Sequence, residues 1–171
     1  MKAFPWTNIS LFAGLTAEEI ETIKPIFSTI ETPAREYVLR EGESGDAMYI
    51  LIKGRVRITK AMIVKGMSLP IVELEDPRKV LATLDEASFP IFGEMALLDK
   101  DVRSASVETL VPCTFFMTTQ ERFFELIEKQ PRLGCHLLVA LGRRLTGNIR
   151  RSNKELIKLT TALALALSQQ R

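Results

Sequence analysis

One short stretch of the chain gathers residue types that could do chemistry together. Phe92-Gly93-Glu94-Met95-Ala96-Leu97-Leu98 is followed, nine residues after Glu94, by Arg103 at the head of Ser104-Ala105-Ser106-Val107. Gly93 lets the backbone turn tightly and approach a ligand with no Cβ in the way. Residues 94–98 fit one helical turn, whose unpaired N–H groups and positive dipole end suit an anion. The alternating Ser-Ala-Ser-Val reads as the start of a strand, so the Arg103 guanidinium faces the same anion from the other side. Its planar fork fits two phosphate oxygens at once. Glu94, acceptor-only when ionised, is repelled by phosphate but takes a hydrogen bond from a sugar hydroxyl. A carboxylate and a guanidinium so spaced suit a ribose that carries a phosphate.

The surrounding elements must hold these residues in place. Thr16-Ala17-Glu18-Glu19 is a capping-box pattern, and Ile20, Ile23 and Phe27 follow at helical spacing, which predicts a short helix to about residue 26 with Pro25 near its end. From residue 29 to about 111 the pattern changes to short strands and turns. Residues 37–39, 47–52, 55–62, 80–84, 106–110 and 113–117 read as strands, and residues 63–78, with Gly66, Pro70 and Pro77, as a loose loop or hairpin. Such spacing suggests a barrel or sandwich. Thr118-Thr119-Gln120-Glu121 then caps a second helix, with Phe123, Phe124, Leu126 and Ile127 expected to pack inward.

The stretch from Gly93 through Arg103-Ser104-Ala105 resembles the phosphate-binding cassette of cyclic nucleotide-binding domains. Upstream, Glu41-Gly42-Glu43-Ser44-Gly45-Asp46 through Gly54-Arg55-Val56 is similar to the family's β-hairpin, with glycines at both turns. The resemblance covers residues 11–152 and has its specificity in the cassette. It implies a double-stranded β-helix, a jelly-roll-like β-roll of eight strands, flanked by an N-terminal helix and two C-terminal helices. It also implies that Glu94 meets the ribose 2′-hydroxyl and Arg103 the cyclic phosphate, with Phe92, Met95, Ala96 and Ala105 completing the cassette. The ligand so implied is cAMP, with cGMP next; no other cofactor and no metal is called for. Ser104 has two open readings, a hydroxyl donor to phosphate or base, and an ordinary strand serine.

From Pro131, well placed in a first helical turn, Leu138, Leu141, Leu145, Ile149, Leu156, Leu159 and Leu163 recur every three or four residues, apart from a gap at 149–156. A helix continuous to about residue 168 is on the order of 55 Å long, too long to be buried on one small barrel. Its surplus apolar stripe predicts a homodimer, although Gly147 and Ser152 interrupt it. Leu141-Gly142-Arg143-Arg144-Leu145 resembles the matching helix of the bacterial cAMP receptor branch, where that helix forms the dimer interface and a helix-turn-helix domain follows. Setting the two side by side puts Asn148 where that branch carries a base-contacting hydroxyl residue. An Asn amide suits the N6 and N7 edge of adenine, while an exposed helical Asn is equally ordinary. The chain divides on this reading into a nucleotide-binding unit over 1–130 and a lid and dimerisation helix over 131–171.

Composition bounds the rest. At 171 residues the chain fits one domain with an appended element. With 46% apolar and 26% charged residues it is an ordinary globular chain. A net charge of +2 makes no field strong enough to argue for nucleic acid. The helical basic residues Arg143, Arg144, Arg150, Arg151 and Lys154 read as a solvated face. Cys113 and Cys135 have no CxxC spacing and fit reduced thiols in a cytoplasm. The lone histidine, His136, leaves no Ser-His-Asp set and no cupin-type metal site, so no enzyme is expected. No signal segment or membrane span is legible. The reading is a cytoplasmic cyclic nucleotide sensor whose downstream partner is an unknown protein. The alternatives are a ligand-free dimeric scaffold of the same fold, or a fragment of a cAMP-receptor-type transcription regulator.

Overall fold

The computed structural model describes residues 4–61 and 78–168. Eight strands form two antiparallel four-stranded sheets: β1 (Ser28–Thr32), β8 (Cys113–Thr119), β3 (Ala47–Lys53) and β6 (Ile91–Phe92) in that order, and β2 (Tyr37–Leu39), β7 (Ser106–Thr109), β4 (Arg55–Ala61) and β5 (Arg78–Asp85). Strands distant in sequence are neighbours, as in β1 with β8 and β4 with β7. This is the double-stranded β-helix, jelly-roll-like fold that the resemblance implies. The helices are α1 (Ala17–Ile23), α2 (Glu94–Asp99), α3 (Gln120–Lys129) and α4 (Pro131–Ser168).

The burial patterns follow from what covers each sheet. β3 reads as a continuous apolar run because both its faces are covered. Met48 and Ile50 face a core shared with the N-terminal segment, α3 and α4, while Leu51 joins Val56, Phe92, Val107 and Phe115 between the sheets. In β4 the outer face meets water, so buried Val56 alternates with exposed Arg55 and Arg57. Thr16 closes the predicted capping box at α1, its Oγ1 accepting from Glu19 N while Thr16 N donates to the Glu19 carboxylate.

Two strands escape the sequence reading. β1, Ser-Thr-Ile-Glu-Thr, is only half buried at alternate positions, and β6 has just two residues. Of the loop expected over 63–78, residues 63–77 lie outside the described residues, as does Met62 at the end of the strand expected over 55–62, while Arg78 opens β5. In α3, Phe123 and Leu126 are buried as expected, but Phe124 is 37% exposed. Adjacent helical positions differ by about 100°, so Phe123 and Phe124 cannot share one inward face.

α4 is continuous over its 38 residues. Leu133, Leu137 and Leu141 anchor its first turns in the core, each contributing roughly 1.5–3 kcal/mol by removal from water. Leu141 therefore belongs to the core and not to the outer stripe. Beyond it the helix leaves the body, and Leu156, Leu159 and Leu163 are each 60% exposed. Among the described residues no helix is long and apolar enough to cross a membrane.

The two cysteines sit in opposite surroundings. Cys113 is buried, its thiol directed at the carbonyls of Val111 and Arg55 at 3.1 and 3.4 Å, whereas Cys135 is exposed. Burial pushes the Cys113 thiol pKa up, so the reactive thiolate is scarce there. At pH 8 a chromogenic thiol reagent is expected to titrate one equivalent rapidly in the native protein and the second only on unfolding. Two rapid equivalents would contradict this burial.

Candidate functional site

Gly93 sits between β6 and α2 with φ 81° and ψ 5°, a left-handed conformation that disfavours any side chain. Space forbids one as well: a Cβ there would lie 2.8 Å from the Ala47 carbonyl oxygen and 3.0 Å from Nη1 of Arg103. The turn drops Glu94 into the first position of α2 at 6% exposure. Arg103 follows at 7% exposure, its Nη1 donating to the Ala47 carbonyl at 2.8 Å and the Gly93 carbonyl at 3.4 Å.

The glycine hairpin grips the Arg103 backbone. Gly42 N donates to Arg103 O and Arg103 N donates to Glu43 O, both at 2.9 Å. Gly45 passes so close that a Cβ there would stand 2.6 Å from Nη2. Nε and Nη2 have no hydrogen-bond partner and no carboxylate at ion-pair distance among the described residues. Burial lowers the Arg103 pKa, an effect that Tyr49 and Asp46 oppose, but a guanidinium so placed stays charged. Its neighbour Tyr49 is pushed upward by burial. The arrangement is a buried cation with free donors.

All nine residues singled out from the sequence border one hollow of about 380 Å³. Phe92, Gly93, Glu94, Met95, Ala96, Arg103, Ser104 and Ala105 line it from the β-roll and α2, and Asn148 from α4. Ser104 Oγ lies 3.8 Å from the Met95 sulfur, a weak contact that leaves the hydroxyl available. Leu81 and Leu84 of β5, with Ile58, add an apolar wall.

The sequence reading missed Arg144. Its Nε lies 3.5 Å from Glu94 Oε1, and its Nη2 donates to the Ile91 carbonyl. Nε is buried with no hydrogen bond, so the pair to Glu94 is a charge contact without hydrogen-bond geometry. Arg144 therefore departs from the solvated face expected for it and pins α4 to the cassette. Its spacing held the signal: three residues after buried Leu141 and four before Asn148 put all three on neighbouring helical positions. Arg151 and Ser152 extend the same wall.

The family model of the cyclic nucleotide-binding domain matches residues 29–130. The chain belongs to the cyclic nucleotide-binding domain family. It is 29% identical over 135 residues to the cyclic AMP receptor protein of Thermus thermophilus, covering 79% of this chain and 56% of that protein. It is 30% identical over 122 residues to a cGMP-dependent protein kinase of Caenorhabditis briggsae, covering 71% of this chain and 15% of the kinase. The chain thus spans about half the length of the receptor and a small part of the kinase. Among solved structures, the catabolite activator protein of Thermus thermophilus has a TM-score of 0.71 at 29% identity, covering 88% of this chain and 63% of that one. A cyclic nucleotide-binding domain from Methylobacillus flagellatus has a TM-score of 0.73 at 25% identity, covering 88% of this chain and 78% of that one.

The Arg144 tie yields a stability prediction for this cyclic nucleotide-binding domain. Arg144→Leu leaves the Glu94 carboxylate buried beside no cation, and is expected to cost about 1–3 kcal/mol in urea unfolding. Glu94→Gln with Arg144→Leu should cost less than the sum of the two single changes. Strict additivity in this double-mutant cycle would mean that the two side chains do not interact.

Proposed function

We propose that the chain is an intracellular cAMP sensor, with cGMP as the next candidate, that signals by ligand-coupled movement of α4. One observation carries the reading: Arg103 is a buried arginine with no carboxylate at ion-pair distance among the described residues, in the wall of a hollow that Glu94 also borders. A cyclic phosphate supplies the missing anion, and the ribose hydroxyl donates to Glu94. The base lies along Leu81 and Leu84, with Asn148 at its edge.

Coupling follows from Glu94, which both a ribose hydroxyl and Arg144 approach. When the sugar takes up part of the carboxylate, the hold of Arg144 on it changes, and with it the preferred position of α4. Such a switch needs tighter binding to one helix position than to the other. The exposed leucines of α4 then serve as a dimer contact with a second copy, and the output goes to a partner protein or to further parts of a longer regulator. A ligand-free scaffold would use the Nη1 bonds of Arg103 but not its free Nε and Nη2 donors, which favours the sensor.

Thermal unfolding and calorimetry test the reading. cAMP is expected to raise the melting temperature by mass action, and Arg103→Ala to weaken binding by about 2–5 kcal/mol, the scale for stripping one partner from a buried charged contact. No stabilisation by any cyclic nucleotide, or equal affinity in the variant, would refute the sensor. Asn148→Leu is expected to weaken cAMP more than cGMP by roughly 1–3 kcal/mol, the scale of one base contact. An identical loss for both nucleotides would remove Asn148 from base selection. In sedimentation, the intact chain is expected to be a dimer at micromolar concentration, and Leu156→Arg with Leu163→Arg to be a monomer.

A further inference from the structure

A second hollow lies on the other flank of α4, between that helix, β6 and the 3-10 turn Ser10–Phe12. At about 670 Å³ it is larger than the cassette hollow and well within the range of small-molecule sites. Its floor is apolar, from Leu11, Ile91 and Leu141, and its rim carries Arg143, Arg144 and Arg151 with His136. Among the described residues no aspartate or glutamate borders it. Arg144 is engaged with Glu94 and His136 with the Ala13 carbonyl at 3.1 Å. Arg143 and Arg151 have neither an ion pair nor a side-chain hydrogen bond among the described residues.

Exposed arginines on a helix are usually solvated, but Gly147 sets these apart. It lies four residues from each, on the face they share. Glycine inside a helix costs roughly 1 kcal/mol relative to alanine, and close packing commonly explains it. Here a Cβ would meet nothing within 4 Å. What the missing side chain does provide is an open gap between two guanidinium groups whose Cα atoms are about 12 Å apart along the helix. Guanidinium groups rooted that far apart can hold a phosphate chain laid between them at both its ends.

We propose that this hollow binds a small polyphosphate anion, such as the phosphate chain of a nucleoside triphosphate, held by Arg143 and Arg151 across Gly147. Arg144, Asn148 and Arg151 border both hollows. If the proposed function holds, filling one hollow therefore changes affinity at the other, and the effect is reciprocal.

The test is calorimetric titration of the full chain with inorganic tripolyphosphate and, separately, with ATP, at low salt without divalent cations, with and without saturating cAMP. One site per chain is expected in both conditions. Arg143→Gln and Arg151→Gln are each expected to weaken it at least tenfold and Gly147→Leu to block it, while Arg103→Gln leaves it within about twofold. Tighter binding of ATP would mean that the apolar floor takes the nucleoside; equal binding would mean that the phosphate chain alone is recognised. Absence of binding at millimolar concentration, or unchanged affinity in the Arg143 and Arg151 variants, would overturn the proposal. So would a monomeric Gly147→Leu protein in sedimentation, which would assign the gap to a second copy of the chain. The arm without cAMP keeps this test separate from the sensor reading, which is decided by cAMP binding to the wild-type and Arg103→Ala proteins.

Discussion

A guanidinium largely withdrawn from water, with no carboxylate at ion-pair distance among the described residues, is the constraint on which the rest of the site depends. Burying an isolated charge is costly unless hydrogen bonds or an opposite charge compensate it. Arg103 has half of that compensation from the chain: the Ala47 and Gly93 carbonyls accept from Nη1. In the proposed sensor the remainder comes from the cyclic phosphate. Every nearby irregularity serves this placement. Gly93 turns left-handed to bring its carbonyl within reach, Gly45 lets the hairpin pass against the guanidinium, and backbone bonds to Gly42 and Glu43 fix where Arg103 starts.

The same site reaches α4 through a contact of another kind. Leu133, Leu137 and Leu141 fix the near end of the helix by apolar burial that no ligand alters. One turn further on, the attachment to the cassette becomes polar, through Arg144 to Glu94 and Ile91. One charge contact without hydrogen-bond geometry is worth less than three buried leucines together. The helix is thus firmly rooted and lightly tied at its middle, the distribution that the proposed sensor needs if a small ligand is to bias its position. The long exposed end beyond residue 145 turns a small shift at the tie into a larger displacement, because it continues as one rigid helix.

Much of this was legible in the sequence, for identifiable reasons. The cassette could be read because glycine, carboxylate and arginine are demanded by chemistry at fixed spacing, and those residues do border one hollow. The strands with alternating or continuous apolar character were found, and so were helices opened by Thr16, Thr119 and Pro131. β1 and β6 were not, since a half-buried polar strand and a two-residue strand leave no periodic signal. Phe124 and Leu141 were assigned to the wrong sides because periodicity gives a helical face but not what covers it. Arg144 was hidden among five basic residues on one helix. Its spacing from Leu141 and Asn148 sets it apart from Arg143 and Arg150, but the contact itself comes from the crossing of α4 over Glu94, a tertiary fact.

The most direct test of the account observes the Arg103 guanidinium itself. In arginine Nε–H NMR spectra of the full chain, stoichiometric cAMP is predicted to shift the Arg103 resonance strongly, as a charged hydrogen bond to phosphate forms, while adenosine leaves it unchanged. Binding of cAMP with no change at the Arg103 resonance would contradict the claim that this buried cation is the receptor for the phosphate.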